Sequence, residues 1–138
     1  MDAGAEPAAG GAEELVRRAY GAYARGDLEG MLELVDPDLE WTFLDPAFVN
    51  PEPRVCHGRH GLEHALRRQA ALGLRSEVEE VVAEGDRAMV SIMTPGVDAY
   101  RADHRAGPSY DVVSVAGGRI VALRACRDRE EALAVLRG

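Results

Sequence analysis

Two aspartates, Asp45 and Asp111, stand among large apolar residues. Asp45 ends the alternating run LEWTFLD, and Asp111 sits near the start of YDVVSV. A carboxyl group surrounded by Val and Phe side chains is disfavoured in its charged form, and its pKa can rise by several units. Two such groups in unlike environments divide into one base and one acid, which is equipment for moving a proton on a carbon skeleton. The plainer reading of the same residues is a turn cap at Asp45, before Pro46, and a solvent-facing strand start at Asp111. Tyr20 and Tyr23 share an apolar helical stripe, where a tyrosine is ordinarily core and its hydroxyl seeks a partner. Tyr20 is the candidate catalytic hydroxyl and Tyr23 a candidate ligand contact.

His57, His60 and His64 follow Cys56 closely. The four-residue step from His60 to His64 could set two imidazoles on one metal if both were helical. Gly58 and Gly61 interrupt that regularity and no HExxH pattern is present, so no metal site is expected. His57, at the end of a short strand, is the histidine expected to meet a ligand. The polar segment from Asp98 to His104 reads as an exposed loop tip, and Cys126, mid-strand between arginines, as a packing residue. The sequence has no phosphate-binding glycine loop, dinucleotide fingerprint or nucleophile elbow. No cofactor is expected.

These residues must be positioned by the elements between them. Helices are expected over Glu13 to Arg25, Leu28 to Leu34 (capped by Asp27) and Gly61 to Leu72, from apolar residues at helical spacing. The second ends before Asp36-Pro37, because proline disfavours helix in the residue before it. Strands are expected at Leu39 to Asp45, Arg54 to His57, Ser76 to Glu84 and Arg87 to Thr94. Residues 95 to 108 read as an irregular loop. Tyr110 to Val115 and Arg119 to Cys126 form a hairpin around Gly117-Gly118, since tight hairpin turns need positive φ. Arg129 to Leu136 is a short C-terminal helix. Front-loaded helices and consecutive strands make an α+β fold.

The chain has 138 residues and a net charge of −8, and all 16 of its basic residues are arginine. One domain fits that length, and no lysine is available for Schiff-base chemistry. The acidic balance argues against nucleic acid or an anionic membrane surface as partner. No apolar run approaches the roughly 20 residues that span a bilayer. Residues 1–12 read as a disordered lead-in rather than a secretory leader, and 13–138 as a single domain. Two cysteines do not make a disulfide framework, so a reduced, cytoplasmic chain is expected.

The segments AYGAYARGDLEGMLELVDPDLEW, HGRHGLEHAL and YDVVSVAGGRIVALRACRD together resemble the SnoaL-like branch of the nuclear transport factor 2-like superfamily. Ketosteroid isomerases, limonene-epoxide hydrolases and polyketide cyclases share that superfamily. The resemblance implies a cone: a curved, mixed, mainly antiparallel sheet of about six strands wrapped by three helices, with a deep pocket and often a dimer through the outer face. It places Asp111 where the isomerases keep a protonated aspartate beside the enolate oxygen. Asp45-Pro46 resembles their Asp-Pro base once about two residues are inserted after Glu40. The place of their oxyanion tyrosine falls on Ala19, with Tyr20 next to it.

If Asp111 faces in, alternation turns Val113 and Val115 in with it, and the same comparison turns Val121, Leu123, Ala125, Met89, Ser91 and Met93 inward. With Trp41, Phe43, His57 and Tyr23 they would line a mostly apolar chamber suited to a hydrophobic small molecule. Val112, Val90, Ile92, Ile120 and Ala122 would form an apolar outer face, which implies a homodimer. The reading is a pocket protein, with isomerase or cyclase chemistry in which Asp45 is the base and Asp111 the oxyanion donor. Its rival is a non-catalytic ligand-binding or interaction module on the same fold.

Overall fold

A computed structural model describes residues 8–138. Helix α1 runs over Ala8–Ala24, so it takes in residues 8–12 of the expected lead-in, and Ala12 is fully buried. Residues 1–7 lie outside the described residues. Helix α2, Leu28–Leu32, starts where the Asp27 carboxylate accepts the Gly30 amide at 2.9 Å. That bond satisfies one of the amides a helix start leaves unpaired.

Strand β1 covers Val35–Phe43 and β2 covers Arg54–His57; helix α3, Arg59–Ala71, follows. Strands β3 (Glu77–Glu84), β4 (Arg87–Met93), β5 (Ser109–Ala116) and β6 (Arg119–Cys126) come next, then helix α4, Arg129–Arg137. The six strands form one sheet in the order β2-β1-β6-β5-β4-β3, antiparallel except where β1 runs parallel to β6. This is the nuclear transport factor 2-like architecture.

β1 begins earlier than expected. It passes through Asp36-Pro37, where a helix end was foreseen, and pairs Val35 with Ile120 but Glu40 with Ala122. That irregularity accommodates Pro37, which has no amide to donate. The β5–β6 hairpin closes at Ala116 and Arg119, with Gly117 at φ 59° and Gly118 at φ 76°. Both angles are those a tight two-residue hairpin turn requires.

The core lies between α1 and the concave face of the sheet. Val16, Ala19, Tyr20 and Tyr23 make the helix stripe, and Val90, Ile92, Val113 and Leu123 make the facing wall. Fully burying a valine or leucine side chain stabilises by about 1.5–3 kcal/mol, and Val16, Val90 and Val113 are fully buried.

The faces of β4 differ from expectation. Val90 pairs with Asp111, and directly paired residues of antiparallel strands share a face. Ala88, Val90 and Ile92 therefore point inward, while Met89 opposes Val112 on the outside. Ile120 also turns into the core, because the β5–β6 register shifts between Ser114 and Val115. On the convex side α4 covers Met89 and Val112 with Ala132 and Leu136. The expected homodimer thus loses the exposed apolar face on which it rested. Among the described residues no helix is long and apolar enough to cross a membrane.

Candidate active site

A cavity of about 470 Å³ opens between α1, α3, the ends of β1, β5 and β6, and the loop before β5. Trp41 and Phe43 alternate onto it from β1, their rings 4.9 Å apart at a 35° tilt. Leu123 and Ala125 contribute from β6, and Leu62 and Leu66 from α3. The wall is chiefly apolar, as small-molecule sites are.

Asp111 faces this cavity from β5. Tyr20, on α1 and only 6 % exposed, donates from its hydroxyl to Asp111 Oδ2 at 3.1 Å. No arginine forms an ion pair with Asp111 among the described residues. Burial raises the Asp111 carboxyl from 3.8 to about 6, while the Tyr20 hydrogen bond pulls the other way. The Tyr20 phenol is held well above its usual value, first by burial and then by the Asp111 charge. Tyr20 therefore remains a hydroxyl donor. A carboxyl raised this far exchanges its proton close to neutral pH.

Asp45 also lines the cavity, just past the end of β1. Its Oδ1 accepts the Ala47 amide at 2.9 Å and so caps the turn through Pro46. Tyr23 reaches α3, donating to the Leu66 carbonyl at 3.3 Å. Three further expectations fail on strand parity. Met89 packs under α4, Met93 shares its outward face, and His57 is exposed on β2, opposite Glu40 rather than Trp41. Val113 faces inward but is fully buried against α1, in the core and not in the cavity wall. His60 and His64 are exposed, and no group of three metal-binding side chains occurs among the described residues. Cys126 is buried and its thiol is pushed up to about 11, first by burial and then by the Glu131 charge. It is protonated at neutral pH, as a packing residue would be.

Two polar features of the cavity escaped the sequence reading. Gln69 donates to Ser76 at 2.9 Å, and the Ser76 and Thr94 hydroxyls lie 2.7 Å apart. All three line the cavity, bringing α3, β4's end and the start of β3 together. Arg101, expected in an exposed loop tip, is only 8 % exposed and turns into the wall. Gln69 shares the apolar side of α3 with Leu62 and Leu66, but the hydroxyls it joins lie at strand ends outside the helix, and Arg101 lies in a loop that no periodicity marks.

The pattern of the SnoaL-like domain matches residues 16–123. The chain belongs to the SnoaL-like family. No curated protein matches it. Among solved structures it is similar to Bal32a, from a soil-derived mobile gene cassette, with a TM-score of 0.67 and 19% identity, over 90% of this chain and 95% of that one. IdmH of Streptomyces antibioticus, a candidate polyketide cyclase, gives a TM-score of 0.64 and 22% identity, over 91% of this chain and 98% of that one. A candidate ketosteroid isomerase of Kribbella flavida gives 0.64 and 14% identity, over 88% and 80%. At such identities these likenesses speak for a shared SnoaL-like cone, not for a shared reaction.

Proposed function

We propose that this SnoaL-like protein binds a hydrophobic small molecule in its cone and moves a proton on it without a cofactor. The supporting observation is Asp111: a carboxyl in an apolar cavity wall, with a pKa near 6 and one hydrogen bond, from Tyr20. A general base works best with a pKa near the operating pH. Asp111 is thus better suited to be the base than the permanently protonated donor that the isomerase comparison implied. Asp45, whose Oδ1 already holds the turn at Ala47, is secondary.

In this reading Asp111 takes a proton from a carbon next to a ligand carbonyl. The C–H electrons pass into an enolate. Returning the proton to a different carbon isomerises the ligand. Attack of the enolate carbon on a second carbonyl of the same molecule closes a ring, and the new alkoxide takes the proton. Tyr20 fixes Oδ2, leaving Oδ1 with no protein donor among the described residues. IdmH and the Kribbella protein carry candidate cyclase and isomerase names, which is consistent with either outcome.

The test is deuterium exchange into 2-tetralone, a neutral, apolar ketone, followed by NMR in heavy water. The wild-type protein should speed exchange above buffer, and Asp111→Asn should lower that rate by about 100-fold. A wild-type rate equal to buffer, or an Asp111→Asn rate equal to wild type, overturns the proposal.

A further inference from the structure

Arg101 is a cation in an unusual position. Its side chain lies in the wall of the cavity, nine-tenths buried, in the loop between β4 and β5. Its partners are all neutral. Nη1 donates to the Arg105 carbonyl at 2.6 Å and the Gly107 carbonyl at 3.2 Å, and Nη2 donates to Ser109 Oγ at 3.0 Å. No carboxylate lies within ion-pair distance of it among the described residues; Asp103, in the same loop, pairs with Arg105 instead, at 3.9 Å. Arg105 and Arg127 also line the cavity. A guanidinium has five N–H donors, so Nε–H and one hydrogen of Nη2 have no acceptor among the described residues. These are two donors on neighbouring nitrogens, the number a carboxylate takes in a bidentate pair.

A buried charge without a counter-charge is costly, and proteins ordinarily pair it. Burial and the neighbouring Arg105 both disfavour the Arg101 charge, and Asp103 and Asp98 offset this only in part. We infer that Arg101 receives a carboxylate carried by the ligand, so that this cavity prefers an apolar acid to its neutral counterpart.

Placement agrees with the chemistry. Arg101 is held at Ser109, and Ser109 and Asp111 are alternate residues on the same face of β5. One such step along a strand is about 7 Å. An acid anchored on Arg101 would present to Asp111 a carbon a few bonds from its own carboxylate, with its apolar body against Trp41 and Phe43. The inference deepens the proposal that the cavity is a ligand site and rests on it.

The test is isothermal titration with 2-naphthoate and its neutral counterpart 2-naphthamide. The wild-type protein should bind naphthoate at least tenfold more tightly than the amide. Arg101→Met should erase that preference, bringing naphthoate affinity down to that of the amide. Equal wild-type affinities, or a preference that survives Arg101→Met, overturn the inference and leave the 2-tetralone result standing. If neither probe binds wild type, the ligand cavity and this inference fall together. Where Arg101→Met loses the amide too, the loop has been disturbed and Arg101→Lys decides. A retained carboxylate preference then supports the inference, and equal affinities refute it.

Discussion

Tyr20 and Asp111, 91 residues apart in the chain, are joined by a 3.1 Å hydrogen bond between the first helix and the central strand β5. The bond ties the helical lid of the cone to the strand that carries its buried carboxyl. It also controls how readily that carboxyl ionises.

Asp111 should leave a signature in the pH dependence of stability. Its pKa is about 6 in the folded protein and 3.8 ordinarily, so between those values the folded state holds the proton more often than the unfolded state. Stability therefore falls as pH rises from about 4 to about 6, by at most about 3 kcal/mol, and is level above that. Asp111→Asn removes the dependence and is more stable than wild type at pH 7. Melting temperatures across pH 4 to 8 check this, and parallel curves for the two proteins would sink it.

Tyr20→Phe should have two effects. Losing the hydroxyl costs about 1 kcal/mol, the usual worth of a hydrogen bond. It also removes the one interaction that lowers the Asp111 pKa, so the titration moves above 6. The pH at which the melting curve levels off should shift upward relative to wild type. A shift downward contradicts the assignment of the hydrogen bond.

Asp45 is expected to be separable into a turn role and a charge role. Its Oδ1 accepts the Ala47 amide. Asp45→Asn keeps that acceptor and should melt with wild type, whereas Asp45→Ala should lose about 1 kcal/mol. Exchange into 2-tetralone should persist in Asp45→Asn if Asp111 is the base. A rate as low as that of Asp111→Asn returns the base to Asp45.

The hairpin turn offers a purely conformational test. A Cβ on Gly118 would meet nothing within 4 Å, yet the residue sits at φ 76°. Gly118→Val should cost about 1–2 kcal/mol through backbone strain alone. Urea midpoints measure it, and an unchanged midpoint would mean that the turn adopts another form.

Much of the cone was legible because its signals are local. Gly117-Gly118 announced the hairpin, and the alternation through Leu39, Trp41 and Phe43 announced the wall that carries the aromatic pair. Strand β4 was legible as a strand but not by face. From Ala88 to Met93 every position but Ser91 is apolar, so alternation carries no information, and only the pairing of Val90 with Asp111 sets the faces. Ile120 was misplaced because a register shift is invisible in a sequence of hydrophobic residues. Arg101 was misread for a different reason. A polar loop residue has no periodicity, and its burial depends on the loop carbonyls of Arg105 and Gly107 that fold back to hold it.

Helix α4 braces the convex side of the sheet directly behind the strand that bears Asp111. Ala132 and Leu136 press on Met89 and Val112, and Arg87 grips the Val135 carbonyl at 3.1 Å. The inner surface of the chamber is therefore shaped partly from outside it. Removing the Leu136 side chain would unload Met89 and Val112 and so act on the back of the strand that bears Asp111, although Leu136 is no part of the lining.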